Sequence, residues 1–118
     1  MVYIVVLAPY EKLEDPTQTR YCAHFVESDS DNEADIIGEF YDIDIPIRDS
    51  KLAAHIVGIY NDTKLYIEAR YIFGIDIRML IALAKLENKK FKYENIDESK
   101  YKDTHVIIDI NCFLKDGN

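Results

Sequence analysis

The fold is decided by the stretch Val2–Ala8, which has the sequence VYIVVLA. It contains no charged residue and is rich in β-branched side chains. A continuous apolar run of this length is typical of a strand covered on both faces, whereas a strand with one solvent face alternates in polarity. The sequence therefore predicts that Val2–Ala8 is a central strand of a sheet, with packing on both sides.

Polarity alternates in the next apolar segment, Arg20–Val26, which follows the polar, turn-forming stretch Pro9–Thr19. One face would carry Tyr21, Ala23 and Phe25, and the other would carry Arg20, Cys22 and His24. This pattern predicts a second strand that runs antiparallel to the first.

A helix is predicted to begin near Ser30, because Ser30-Asp31-Asn32-Glu33 matches a capping box. Apolar residues follow at helical spacing, namely Ala34, Ile37, Phe40 and Tyr41, although Gly38 weakens the helix. After them Tyr41, Ile43, Ile45 and Ile47 alternate with Asp42, Asp44, Pro46 and Arg48. This alternation predicts a short strand with one apolar and one acidic side, and its proline places it at a sheet edge.

Two interpretations are open for the segment Ser50–Tyr60. Leu52, Ala53, Ile56, Val57 and Tyr60 fit a helix capped by Asp49 or Ser50, which the pattern slightly favours. The alternative is a hairpin, with a strand over His55–Tyr60, a turn at Asn61-Asp62 and a strand over Thr63–Tyr71. Under either interpretation Leu65–Phe73 is predicted to be a strand.

The C-terminal half contains the clearest helix, Ile77–Asn88, with Asp76 as its cap. Its polar positions Arg78, Lys85 and Lys89 form a narrow stripe, which predicts that the helix is sandwiched within the fold or shared in a homodimer. Phe91-Lys92-Tyr93 is a candidate short strand, and His105–Leu114 is predicted to be the final strand. The fold class is therefore α+β, a mostly antiparallel sheet with two or three helices, in one compact domain over residues 1–118.

Composition excludes several classes of protein. The chain has 118 residues, 48% of them hydrophobic, which is enough for a packed core and argues against a disordered chain. The longest apolar stretches fall far short of the roughly 18 residues of a membrane-spanning helix, and no basic residue precedes the apolar run at the N-terminus. We expect a soluble, intracellular (cytoplasmic) protein, in which Cys22 and Cys112 are buried thiols.

The negative charge is concentrated in one block. The net charge is −8, and the segment from Glu27 to Asp49 alone carries −8, because it holds nine acids and one base, Arg48. The nine acids are Glu27, Asp29, Asp31, Glu33, Asp35, Glu39, Asp42, Asp44 and Asp49. The remaining 13 acidic and 13 basic residues balance. Such a block repels nucleic acid and anionic membranes and attracts cations or a basic protein surface.

Three patterns suggest chemistry, but each is either an incomplete motif or is also explained by ordinary structure. The segment Glu27–Glu33 resembles a calcium loop, but counted from Asp29 it has Ala34 in place of the turn glycine and Phe40 in place of the bidentate glutamate. Asp42 and Asp44, with Glu68 or Asp109, are candidate ligands of Mg²⁺ or Mn²⁺, although an edge strand shows the same alternation.

Cysteine and histidine form the third pattern. Cys22 and His24 share a strand face, but His105 and Cys112 would point to opposite faces of their strand and cannot complete a zinc site with them. The sequence contains no nucleophile elbow and no glycine-rich phosphate loop. We therefore predict no catalytic residue, no metal and no cofactor, and an enzyme is the less favoured class.

Three functions are compatible with these features. The favoured one is a small acidic binding protein, an inhibitor or nucleic-acid mimic, whose nine acids engage a basic surface of a nuclease, polymerase or other nucleic-acid-binding protein. A metal-dependent phosphodiester hydrolase using paired aspartates and a structural or assembly subunit are the alternatives. Seventeen Ile and nine Tyr against four Arg indicate an AT-rich coding genome, as many phages, viruses and thermophilic archaea have, and small acidic inhibitors are expected among viral or mobile-element proteins.

Overall fold

The computed structural model describes residues 1–9, 22–42 and 52–112. Its centre is a five-stranded antiparallel sheet with the strand order β2-β1-β3-β4-β5. The strands are β1 (Val2–Pro9), β2 (Cys22–Glu27), β3 (Leu52–Asn61), β4 (Lys64–Glu68) and β5 (His105–Asp109). The helices are α1 (Glu33–Asp42) and α2 (Ile77–Glu87). The α+β fold class is confirmed.

The central strand β1 has a core on each side, as its unbroken apolar sequence predicts. Val2, Ile4 and Val6 belong to one cluster of buried residues, which includes Leu80, Ile81 and Ala84 of α2. The alternate residues Tyr3, Val5 and Leu7 belong to a second cluster, which includes Ile36 and Phe40 of α1. The two helices therefore cover opposite faces of the sheet.

The helix slightly favoured for Ser50–Tyr60 is wrong, because the described part of this segment is β3. It forms a hairpin with β4 through a two-residue turn, in which Asp62 has a left-handed φ of 57°. A β-bulge opposite Ile4 and Val5 shifts the register of β3. The bulge interrupts the alternation of buried and exposed positions, and this leaves a spacing that imitates a helix.

Other boundaries differ from the predicted ones. The strand predicted over Leu65–Phe73 ends at Glu68, where a 3-10 helix, Ala69–Gly74, begins. Residues 91–93 form no strand. The last strand ends at Asp109, where residues 110–112 make a helical turn, and residues 113 and 114 lie outside the described part of the chain. Helix α2 agrees with its prediction to within one residue, and the Asp76 side chain accepts a hydrogen bond from the Met79 N–H.

Candidate functional site: an acidic surface

The acidic surface consists of the seven described acids of the charged block. All seven side chains are exposed: Glu27, Asp29, Asp31, Glu33, Asp35, Glu39 and Asp42. The other two predicted site residues, Asp44 and Asp49, lie outside the described residues. None of the ion pairs found among residues 1–9, 22–42 and 52–112 includes one of the seven acids. No described basic side chain therefore forms a direct ion pair with them.

A loop that is hydrogen-bonded to β1 and to Met1 connects the sheet to α1 and carries Asp29 and Asp31. Ser28 is 4% exposed, and its N–H and carbonyl both bond to Met1, at 2.9 and 2.8 Å. The Tyr3 hydroxyl donates to the carbonyl of Ser30 at 3.0 Å. These bonds fix the loop across the end of β1, so that the acids project from a defined backbone.

The helix begins two residues later than the capping box predicts. Asn32 is the residue before α1, and its Oδ1 accepts hydrogen bonds from the N–H groups of Ala34 and Asp35. The buried face consists of Ile36 and Phe40, whereas Ala34 is exposed. The exposed stripe contains Asp35, Glu39 and Asp42, which recur at helical spacing.

A groove of about 440 Å³ lies between α1 and strand β2. It is lined by Phe25, Val26, Glu27, Glu39, Asp42 and Phe91. The rings of Phe25 and Phe91 meet edge to face, with their centroids 6.2 Å apart. Three of the predicted site acids therefore surround a partly apolar groove.

A second cleft of about 320 Å³ lies near the start of α1 and includes Asp31 and Glu33. Glu68 and Arg70 line it too, with 3.6 Å between the carboxylate and the guanidinium. The guanidinium carbon of Arg70 also lies 4.4 Å from the centre of the Tyr71 ring. The acidic surface is thus split between a groove at one end of α1 and a mixed-charge cleft at the other.

Among the candidate metal ligands, the three that the structure describes, Asp42, Glu68 and Asp109, do not come together, and Asp44 lies outside the described residues. Asp42 is the last residue of α1 and not part of a strand, so the strand predicted over residues 41–48 is wrong at its described start. Glu68 lines the cleft near Glu33, and nine residues of helix, about 14 Å, separate Glu33 from Asp42. Asp109 ends β5, at the opposite edge of the sheet from the groove that Asp42 lines.

Neither the calcium-like segment Glu27–Glu33 nor the histidines belong to a metal site in the part of the chain that the structure describes. Within the described ranges, no group of three His, Cys, Asp or Glu residues could hold a metal ion. His24 packs edge to face on Phe40, with centroids 5.4 Å apart, and burial lowers its pKa, with a smaller opposing effect of Glu87. His105 bonds to the Thr104 hydroxyl through Nδ1. Cys112 is an exposed thiol, so the prediction that it is buried is wrong.

Helix α2 and the short 3-10 helix that follows it, Asn88–Lys90, present the polar stripe to solvent. Arg78, Lys85 and Lys89 are exposed, and Leu86 lies among them with 79% of its surface accessible. Phe73, in the preceding 3-10 helix, is 75% exposed. The homodimer stays a prediction, and these two are the most exposed large apolar side chains among the described residues.

Sequence reasoning missed the aromatic part of the groove. Phe25 was placed only in a strand and Phe91 in a candidate strand, and neither was assigned to a site. The contact between them joins residues 66 positions apart in the chain, and no local pattern indicates such a contact. The acids were found because a charge imbalance is visible in the sequence itself.

Comparisons with protein-family models, with curated proteins and with solved structures found no significant match to this chain. In the described residues, no helix is both long enough and apolar enough to cross a membrane.

Proposed function

We propose that this protein binds a basic surface of a nucleic-acid-handling protein, such as a nuclease or polymerase, and blocks it. The single observation that carries this proposal is the exposure of seven carboxylates between Glu27 and Asp42, none of them in a described ion pair. A surface with interspersed charges would pair many of its acids, whereas these seven have no ion pair within the described part of the chain.

The spacing of the acids supports the imitation of nucleic acid. Along the α1 axis, Asp35 and Glu39 are about 6 Å apart and Glu39 and Asp42 about 4.5 Å apart. Successive phosphates of one DNA strand advance by about 3.4 Å, which is of the same order. A groove that evolved to bind phosphates therefore offers basic side chains at a spacing that these carboxylates can meet.

The electrostatics of such a partner favour rapid association. Exposed carboxylates concentrated on one helix and loop create a negative field that attracts a basic surface before contact. Complementary charges of this kind raise the association rate more than they raise the final affinity. A partner of this class works inside the cell, so the proposal includes an intracellular location, which an exposed thiol at Cys112 also suits.

A pull-down with purified protein tests the proposal. The wild type and a variant with Asp29→Asn, Asp31→Asn, Glu33→Gln and Asp35→Asn are immobilised and exposed to a nuclease-treated lysate, after circular dichroism shows that both are folded. We expect the wild type to retain basic proteins that added salt or duplex DNA releases, and the variant to lose them. Proteins retained equally by both, or unaffected by salt and DNA, would contradict the proposal.

A further inference from the structure

The groove of about 440 Å³ lies along the edge strand of the described sheet. Strand β2 is the first in the order β2-β1-β3-β4-β5, and among the described residues only β1 pairs with it. Phe25 and Val26 are neighbours in a strand, so their side chains point to opposite faces of the sheet. The cavity reaches around the edge, because α1 with Glu39 and Asp42 lies on one face and Phe91 packs with Phe25 on the other.

The backbone groups that face this edge can be identified from the register. Met1 and Ser28 exchange both of their backbone hydrogen bonds. In an antiparallel pair such exchange recurs at every second residue, and the register from Val2↔Glu27 to Leu7↔Cys22 has no shift. Val26 therefore bonds to β1, whereas the N–H and carbonyl groups of Phe25 and Glu27 point away from it, towards the groove.

The two walls of the groove differ in chemistry. On the α1 side stand the exposed carboxylates of Glu39 and Asp42. On the α2 side stands the ring of Phe91, which packs on Phe25 and is partly buried. Glu27 bonds to the Lys92 N–H on this second side. An added strand would alternate its side chains between an acidic wall and an apolar wall.

We infer that the groove binds an extended basic segment of the partner by strand addition. The backbone of that segment pairs with Phe25 and Glu27, its Lys or Arg side chains face Glu39 and Asp42, and its alternate apolar side chains contact Phe91. Charge complementarity selects this occupant, because a neutral or acidic strand would leave the two carboxylates unmatched. The inference rests on the proposed function and adds the binding mode and the sequence pattern of the partner.

The probe is a synthetic hexapeptide in which Lys alternates with Val, and its control is a peptide of the same composition with three Lys followed by three Val. Binding is measured by fluorescence anisotropy, and hydrogen exchange is followed at each backbone amide by NMR. We expect the alternating peptide to bind at least about tenfold more tightly than the block peptide and to protect the Phe25 and Glu27 amides. Methylating one set of alternate peptide amides should abolish binding, and methylating the other set should not.

Two double variants with the same change of net charge separate the groove from general electrostatics. Glu39→Gln with Asp42→Asn should weaken peptide binding about tenfold, and Asp29→Asn with Asp31→Asn less than about threefold. Equal weakening by both would overturn the strand-addition proposal, as would Phe25 and Glu27 amides that are already protected in the free protein. In either case the pull-down decides separately whether the acidic surface binds a basic partner by another geometry.

Discussion

The carboxylate of Glu27 accepts a hydrogen bond from the backbone N–H of Lys92, with 2.8 Å between Oε2 and the nitrogen. Glu27 ends β2, and Lys92 directly follows Phe91. The bond therefore holds one wall of the groove against the edge strand. The first acid of the charged block therefore has a structural role in addition to its negative charge.

Replacing Glu27 should separate its role as a hydrogen-bond acceptor for Lys92 from the role of its negative charge. We expect Glu27→Ala to reduce the free energy of unfolding by about 1 kcal/mol, because the Lys92 N–H loses its acceptor. Glu27→Gln should cost less, since its amide oxygen can still accept the bond. Urea unfolding of the three proteins measures the difference, and equal losses in both variants would show that the charge and not the acceptor matters.

Two glycines should respond in opposite directions to the same substitution. A Cβ at Gly58 would lie 2.0 Å from the carbonyl oxygen of Tyr66 on β4, so Gly58→Ala must push the two strands apart. We expect a loss of several kcal/mol in the free energy of unfolding. A Cβ at Gly38 would meet nothing within 4 Å, so Gly38→Ala should stabilise α1 by about 0.5–1 kcal/mol. Thermal unfolding of both variants checks the signs.

Acid should weaken the hydrogen bonds that the Glu98 carboxylate accepts from β4. Lys64 Nζ and the Tyr66 hydroxyl both donate to Glu98 Oε1, at 2.6 and 3.0 Å, and these bonds hold the pKa of Glu98 below its usual value. A carboxyl with a lowered pKa in the folded state stabilises the protein above the unfolded pKa, and this contribution is lost as the pH falls through the folded pKa. Glu98→Gln should therefore be less stable than the wild type at pH 7, and the two should converge in acid. Urea unfolding across pH 3 to 7 tests this, and a difference that does not change with pH would contradict it.

Alkaline pH should destabilise the protein through the same cluster of Lys64, Tyr66 and Glu98. Burial, together with the hydrogen bond to Glu98, raises the pKa of Tyr66 to about 12. Folding therefore favours the neutral phenol, and stability should fall as the pH rises from the usual tyrosine value of about 10 towards 12. Tyr66→Phe should show a smaller loss over this interval, which unfolding measurements at pH 9 to 12 would detect.

The predicted homodimer would have a salt dependence opposite to that of partner binding. An interface centred on the exposed Leu86 brings the basic stripe of Arg78, Lys85 and Lys89 near its copy, and salt screens this repulsion. We expect sedimentation velocity to show self-association that strengthens with salt and is lost in Leu86→Lys. A monomer at every protein and salt concentration would contradict the dimer.

Sequence reasoning succeeded where one residue pattern has one structural meaning. The run Val2–Ala8 admits few structures other than a buried strand, and Asp76 with the periodic residues after it specifies α2. It failed at Ser50–Tyr60, because the bulge in β3 is set by pairing with β1, and its only trace in the sequence is a spacing that imitates a helix. The acidic surface follows from charge, which needs no fold, whereas the groove depends on a contact between Phe25 and Phe91 that only the folded chain creates.

The association rate with a partner recovered in the pull-down, measured by stopped flow as ionic strength is raised, tests the central claim most directly. The wild type is compared with Asp29→Asn/Asp31→Asn, within the acidic surface, and with Asp62→Asn/Asp103→Asn, at two exposed acids outside it. We predict that the wild-type rate falls at least about tenfold between low salt and 0.2 M salt. The first variant should associate more slowly with a shallower salt dependence, and the second should follow the wild type. Identical rates and salt dependences for all three proteins would contradict a function carried by the acidic surface.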